Sequence, residues 1–144
     1  MPRQIWTLTQ EDASFLVDHS VKTAAKMGVA ITVAVVEAGG VTVGLLRMDD
    51  TKLASVCVAE GKAWTSALFQ KPSNDYGSAT APGSIGYGLQ NAFPGKLVPM
   101  IGGQPVFVHG TCIGGVGVSG ASGEQDDSIA KAAVAAFLMK RVTA

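Results

Sequence analysis

Residues 30–47 read AITVAVVEAGGVTVGLLR, two runs rich in β-branched residues that are separated by paired glycines. β-Branched residues favour strands, and paired glycines accept the positive φ that tight hairpin turns require. The stretch therefore predicts a strand over 30–36, a turn over 37–40 and a return strand over 41–47. This hairpin decides the fold class, because a doubly wound parallel sheet would need helices between most of its strands.

A helix is predicted on each side of this hairpin. The first runs over about 10–27, where Thr9 and Asp12 have the spacing of a capping box and Gly28 offers a left-handed C-cap. The second runs over about 53–69, where small residues recur at helical spacing. Small side chains on its packed face would let this helix lie close to the sheet.

The rest of the chain predicts three more strands and a closing helix. Residues 73–97 are rich in Gly, Ser, Ala and Pro, and they predict an irregular, lid-like segment with a turn of helix near its start. Strands are expected over 97–101, 105–108 and 111–118, and a helix over 124–141.

This order of elements predicts an α+β fold. A central antiparallel sheet of about five strands would carry the helices on its faces, in a single compact domain over residues 1–144. A chain of this length can bury a substantial core as one domain.

The composition excludes several classes of function. Hydrophobic residues make up 47% of the 144 residues, and 11 basic residues balance 11 acidic ones. Such a chain lacks the basic patch of nucleic-acid-binding proteins and has no apolar run long enough to span a membrane. The N-terminus does not resemble a signal peptide, so we expect a cytoplasmic protein. Low charge and zero net charge favour self-association.

The sequence GVGVSG at 115–120 matches the G-x-G-x-x-G pattern of dinucleotide-binding proteins. That motif requires a following strand with an acidic residue, for which the chain leaves no room. Moreover, Glu124, Asp126 and Asp127 in the next helical turn would repel a phosphate. The glycines are therefore expected to permit close packing between a helix and a strand, or between subunits.

Two histidines are candidates for ligand binding. His19 lies on the first predicted helix, at the border of its apolar face, where it is either bonded to a neighbour or ligates a metal or haem iron. His109 is expected in a solvated hairpin turn. Their spacing does not match a zinc site within one chain.

Three charged residues lie close to apolar elements. Arg47 ends a predicted strand, and Glu60 and Lys62 flank Gly61 within an apolar helix. A glycine within a helix suggests that a backbone or ligand approaches closely. Lys62 either lies on the solvated outer face or, if desolvated, binds a carboxylate or acts as a base.

Several segments together resemble the GlcG/HbpS-like haem-binding family. In chain order they are 34–40 (AVVEAGG), 47–49 (RMD), 62–72 (KAWTSALFQKP), 99–105 (PMIGGQP) and 117–126 (GVSGASGEQD). The resemblance implies an α/β domain with an antiparallel sheet, and homo-oligomers that are often octamers. It also implies haem binding by some members through a first-helix histidine, which His19 matches in this sequence, and an accessory role in small-acid catabolism.

Three hypotheses follow. In the first, the protein is a homo-oligomer that binds haem, His19 ligates the iron, and Lys62 and Arg47 pair with the propionates. In the second, it is a cofactor-independent enzyme for a small anionic organic substrate, with Lys62 and Glu60 as catalytic residues, Arg47 as the anion clamp and 73–97 as the lid. In the third, it is a structural or accessory oligomer.

Overall fold

The first helix begins at the predicted capping box. In the computed structural model, which describes residues 1–143, Asp12 N–H donates to Thr9 Oγ1 and Thr9 N–H donates to Asp12 Oδ2. Helix α1 (Gln10–Met27) ends at Gly28, whose φ of 73° lies in the left-handed region. Both predicted ends are therefore confirmed. Ala144, the last residue of the predicted domain, lies outside the described residues.

Two hairpins form one antiparallel sheet. The first consists of β1 (Thr32–Glu37) and β2 (Thr42–Arg47), and the second of β3 (Gly103–Val108) and β4 (Thr111–Ser119). The strand order is β2-β1-β4-β3, with β1 and β4 paired at the centre. Because the helices pack on this sheet, the predicted α+β class is confirmed.

The helices cover the two faces of the sheet. Helix α2 (Ser55–Phe69) packs on one face, and α1 and α3 (Gly123–Thr143) pack on the other. The alternation along β1 divides the core accordingly. Val33 and Val35 join the larger core with α1 and α3, whereas Ala34 joins a smaller core with alanines of α2.

Glycines on β4 set the distance between the sheet and α2. A Cβ on Gly115 would lie 2.6 Å from the carbonyl oxygen of Ala63, and a Cβ on Gly117 would overlap the carbonyl oxygen of Ala59. Only glycine fits where the helix backbone lies this close to a strand. Gly115 and Gly117 of the 115–120 motif thus serve helix–strand packing, which is one of the two expectations from sequence.

The strand predicted over 97–101 is wrong, and the sheet has four strands instead of about five. This segment docks on α2. Val98 N–H donates to Thr65 Oγ1 at 2.8 Å, and a Cβ on Gly61 would overlap the Val98 side chain. Pro99 offers no N–H to a neighbouring strand. Gly61 therefore marks the close approach of the chain's own backbone.

The segment before it contains two short 3₁₀ helices, Ser73–Tyr76 and Leu89–Ala92. The first is the turn of helix expected near residue 73. None of the helices within residues 1–143 is long and apolar enough to cross a membrane.

Candidate functional site

Lys62 lies in a buried ion pair. Its Nζ donates to the carbonyl oxygen of Val118 at 2.8 Å and to Asp126 Oδ2 at 3.3 Å. The two charged side chains are 3% and 4% exposed. The N–H of Ala121 donates to the other oxygen of Asp126 at 3.0 Å. This Lys62–Asp126 junction joins α2, the end of β4 and the first turn of α3.

Burial disfavours both charges of the junction. Desolvation lowers the pKa of Lys62, an effect that Asp126 and Asp127 partly offset. Desolvation likewise raises the pKa of Asp126, although Lys62 opposes the shift. Lys62 thus has an internal carboxylate partner and lines neither of the clefts described below. Its binding of an external carboxylate stays a prediction.

The structure does not bring Glu60 and Arg47 to Lys62. Thr42 Oγ1 donates to Glu60 Oε2 at 3.4 Å, so Glu60 lies beside β2. Residues two apart on a helix point in nearly opposite directions, which explains why Lys62 reaches β4 instead. Arg47 is exposed and donates to the carbonyl oxygen of Thr51 at 3.0 Å. The expected three-residue pocket is therefore not assembled within this chain.

Glu60 lines a cleft of about 440 Å³ between the β1–β2 turn, α2 and the loop at Gly95. We call it the turn cleft. Trp64 also lines it, and its ring centroid lies 5.2 Å from that of Phe93. Lys96 Nζ lies 6.0 Å from the Trp64 ring centroid. An aromatic ring, that of Trp64, thus forms part of the cleft wall.

His19 lies half-buried on α1, on the side that packs with α3. Its ring stacks on Phe15 with 6.1 Å between the centroids, and Phe15 in turn lies 6.3 Å from Phe137 of α3. Thr23 Oγ1 lies 3.4 Å from His19 Nδ1, while Nε2 makes no hydrogen bond to any residue of the described chain. Both interpretations of His19 are therefore compatible with the structure, since one ring nitrogen contacts a neighbour and the other is open.

Basic side chains lie on the same face of α1 as His19 and in the last turn of α3. Lys22 and Lys26 follow His19 on the same face of α1, at three and seven residues, and both are exposed. Lys140 Nζ lies 4.8 Å from the Phe15 ring centroid. Between residues 1 and 143, no three His, Cys, Asp or Glu side chains cluster as a metal site.

A larger cleft of about 820 Å³ lies beside the β3–β4 hairpin. We call it the hairpin cleft. Its lining includes Trp6 of the N-terminal arm, which is the segment that precedes α1. It also includes Phe107 of β3, His109 of the hairpin turn and Arg141 of α3. His109 has a φ of 49°, as its place in a tight turn requires. Sequence reasoning missed this cleft, because its walls come from both ends of the chain.

A match to a protein-family model shows which family the chain belongs to. Residues 8–135 match the family described as "Haem degrading protein HbpS-like". The chain belongs to this family. The resemblance expected from its motifs is thereby confirmed.

Relatives of this HbpS-like chain include corrinoid adenosyltransferase PduO of Citrobacter freundii, which is 35% identical over 131 residues. The match covers 91% of this chain but 39% of PduO, so the chain spans well under half the length of that relative.

Two solved structures share the fold closely. Protein ORFY of Klebsiella pneumoniae has a TM-score of 0.92 and 33% identity, with 95% of this chain and 94% of that one covered. A structure described as a PduOC:heme complex has a TM-score of 0.85 and 35% identity, with coverages of 90% and 94%.

Proposed function

We propose that the protein binds haem and that His19 ligates the iron. The observation that carries this proposal is the position of His19 on α1, with its ring fixed by Phe15 and Thr23 and its Nε2 open. A relative of the same fold is described as a haem complex, which supports the choice of ligand.

The residues around His19 fit the group. Haem supplies an iron that accepts an imidazole nitrogen as axial ligand, and two propionates that need cations. Lys22 and Lys26 lie on the same helix face and would pair with the propionates. Lys62 suits this role less well, because it is already paired with Asp126. Arg47 donates to the carbonyl oxygen of Thr51 instead.

We propose further that a second copy of the chain covers the haem. His19 lines neither the turn cleft nor the hairpin cleft. A haem bound to His19 of one chain would therefore lie on the surface of α1. A porphyrin is mostly apolar and binds well only where its faces are buried. The zero net charge of the chain is compatible with such self-association. The octamer, the cytoplasmic location and the accessory role in catabolism stay predictions.

A haem titration followed by Soret absorbance tests the proposal. The chain offers a matched control, since His19 and His109 are its two histidines. We expect a stoichiometric Soret shift in the wild type and in His109→Ala, and its loss in His19→Ala. Equal Soret shifts in all three proteins would refute ligation by His19. Light scattering of the haem-loaded protein should give a mass above that of one chain.

The enzyme alternative has weaker support. Glu60 lines the turn cleft, but Lys62 is buried in its ion pair and Arg47 lies elsewhere on the surface. The segment expected as a lid contributes Gly95 and Lys96 to that cleft. This hypothesis stays a prediction whose proposed catalytic residues lie apart.

A further inference from the structure

The hairpin cleft is built by an N-terminal arm that is fixed in place. Leu8 is buried, and its N–H donates to the carbonyl oxygen of Ile113 at 2.9 Å. Thr7 Oγ1 donates to Glu37 Oε2 at 3.1 Å and accepts a hydrogen bond from Ala38 N–H at 2.9 Å. These bonds hold the arm against the sheet, so that the cleft exists before any ligand arrives.

Aromatic side chains line the cleft and remain exposed. Trp6 is 67% exposed and Phe107 is 37% exposed, although burial of an aromatic side chain is energetically favourable. A volume of about 820 Å³ lies within the usual range for small-molecule sites. Such sites are mostly apolar, with a few polar groups that orient the ligand. The walls of the hairpin cleft therefore favour a planar aromatic ring.

The cleft offers one cation, Arg141, to an anionic ligand. Its lining residues are Trp6, Thr7, Phe107, Val108, His109, Thr111, Ile113, Leu138 and Arg141. This set holds no carboxylate, and Arg141 is its permanent cation. Arg141 Nη2 lies 3.4 Å from Asp12 Oδ2, and the arginine side chain is 40% exposed. A guanidinium has five N–H donors, so this long contact leaves donors for a second carboxylate.

We infer that the hairpin cleft binds a planar aromatic carboxylate, with its ring against Trp6 and Phe107 and its carboxylate on Arg141. This site is separate from the haem site proposed at His19. It would give the protein a second ligand, smaller than a porphyrin and recognised without a metal.

Calorimetric titration with 2-naphthoate, compared with the neutral 2-naphthalenemethanol, tests this site. Arg141→Gln should weaken naphthoate binding by about tenfold, the scale of one charge-assisted hydrogen bond, and leave the alcohol unchanged. Phe107→Ala should weaken both ligands. The proposal is wrong if naphthoate does not bind at millimolar concentration, or if Arg141→Gln affects both ligands equally.

Two controls separate this site from the others. The chain has two tryptophans, and the indole N–H signal of Trp6 should shift on naphthoate binding while that of Trp64 in the turn cleft does not. Asp12→Asn breaks the ion pair of Arg141 but keeps the guanidinium, so naphthoate should bind as well as or better than in the wild type. His19→Ala should leave naphthoate binding unchanged, whatever it does to haem. A shift of Trp64 alone would overturn the assignment.

Discussion

The Lys62–Asp126 junction and the α1 surface at His19 place basic side chains in opposite situations. Lys62 donates to Val118 and Asp126 and is almost fully buried. His19 is half-buried, and its Nε2 has no hydrogen-bond partner within residues 1–143. A basic group whose partners lie in its own chain therefore has a structural role. A group with an open donor or acceptor atom can bind a ligand.

The largest effect is expected at the junction. Lys62→Ala leaves the Asp126 carboxylate buried without its cation, which should cost about 3–5 kcal/mol of unfolding free energy. Urea denaturation measures it. If Lys62→Ala kept wild-type stability but lost haem binding, Lys62 would belong to the haem site and would not have a structural role.

A double variant also tests whether the Lys62–Asp126 junction is structural. Lys62→Met combined with Asp126→Leu removes both charges and keeps apolar volume, so its stability should lie within about 1–2 kcal/mol of the wild type. Its haem affinity should equal that of the wild type, because neither residue contacts the ligand in our proposal. A loss of haem binding in a stable double variant would contradict this assignment.

A smaller loss is expected at the interface between α2 and β4. Gly117→Ala places a methyl group on the carbonyl oxygen of Ala59, and such overpacking costs about 1–3 kcal/mol. Gly39→Ala is the control, since its added methyl lies at an exposed turn and its nearest neighbours are atoms of the Glu37 side chain instead of backbone. Thermal unfolding compares them. Equal melting temperatures would show that α2 moves aside freely.

The smallest effect is the pH dependence of the junction. Burial raises the pKa of Asp126 above its ordinary 3.8, so just above that pH the folded state binds more protons than the unfolded state. This contribution lowers stability as pH rises. Burial lowers the pKa of Lys62 below its ordinary 10.5, so the unfolded state binds more protons just below that pH. This second contribution raises stability as pH rises.

As pH rises, the unfolding free energy of the wild type minus that of the double variant should therefore fall in the mildly acidic range and rise in the alkaline range. Urea denaturation over a pH series measures it. If this difference instead increased as pH rises through the mildly acidic range, the junction would favour the ionised carboxylate. That result would contradict a raised pKa of Asp126.

Local signals in the sequence predicted most of the fold. The capping box, Gly28 and the Gly39–Gly40 turn are each decided by neighbouring residues, and the structure confirms them. The strand prediction over 97–101 is wrong because Val98 bonds to Thr65 of α2 and packs against Gly61 of the same helix. Short apolar runs do not reveal whether they pair with a strand or pack on a helix.

The candidate site was less predictable than the fold. The opposite directions of Glu60 and Lys62 follow from the helical period, so their separation was readable from the sequence. The pairing of Lys62 with Asp126 joins residues 64 positions apart, and no local pattern reveals it. Both residues do lie in segments that carry the family resemblance.

In our proposal, the open Nε2 of His19 ligates the haem iron. The most direct test adds imidazole to the His19→Ala variant mixed with haem, where the deleted side chain leaves room for free imidazole. We predict that imidazole restores the Soret spectrum of the wild type, and that it leaves the spectrum of the His109→Ala control unchanged. A wild-type Soret spectrum in His19→Ala before any imidazole is added would contradict the claim.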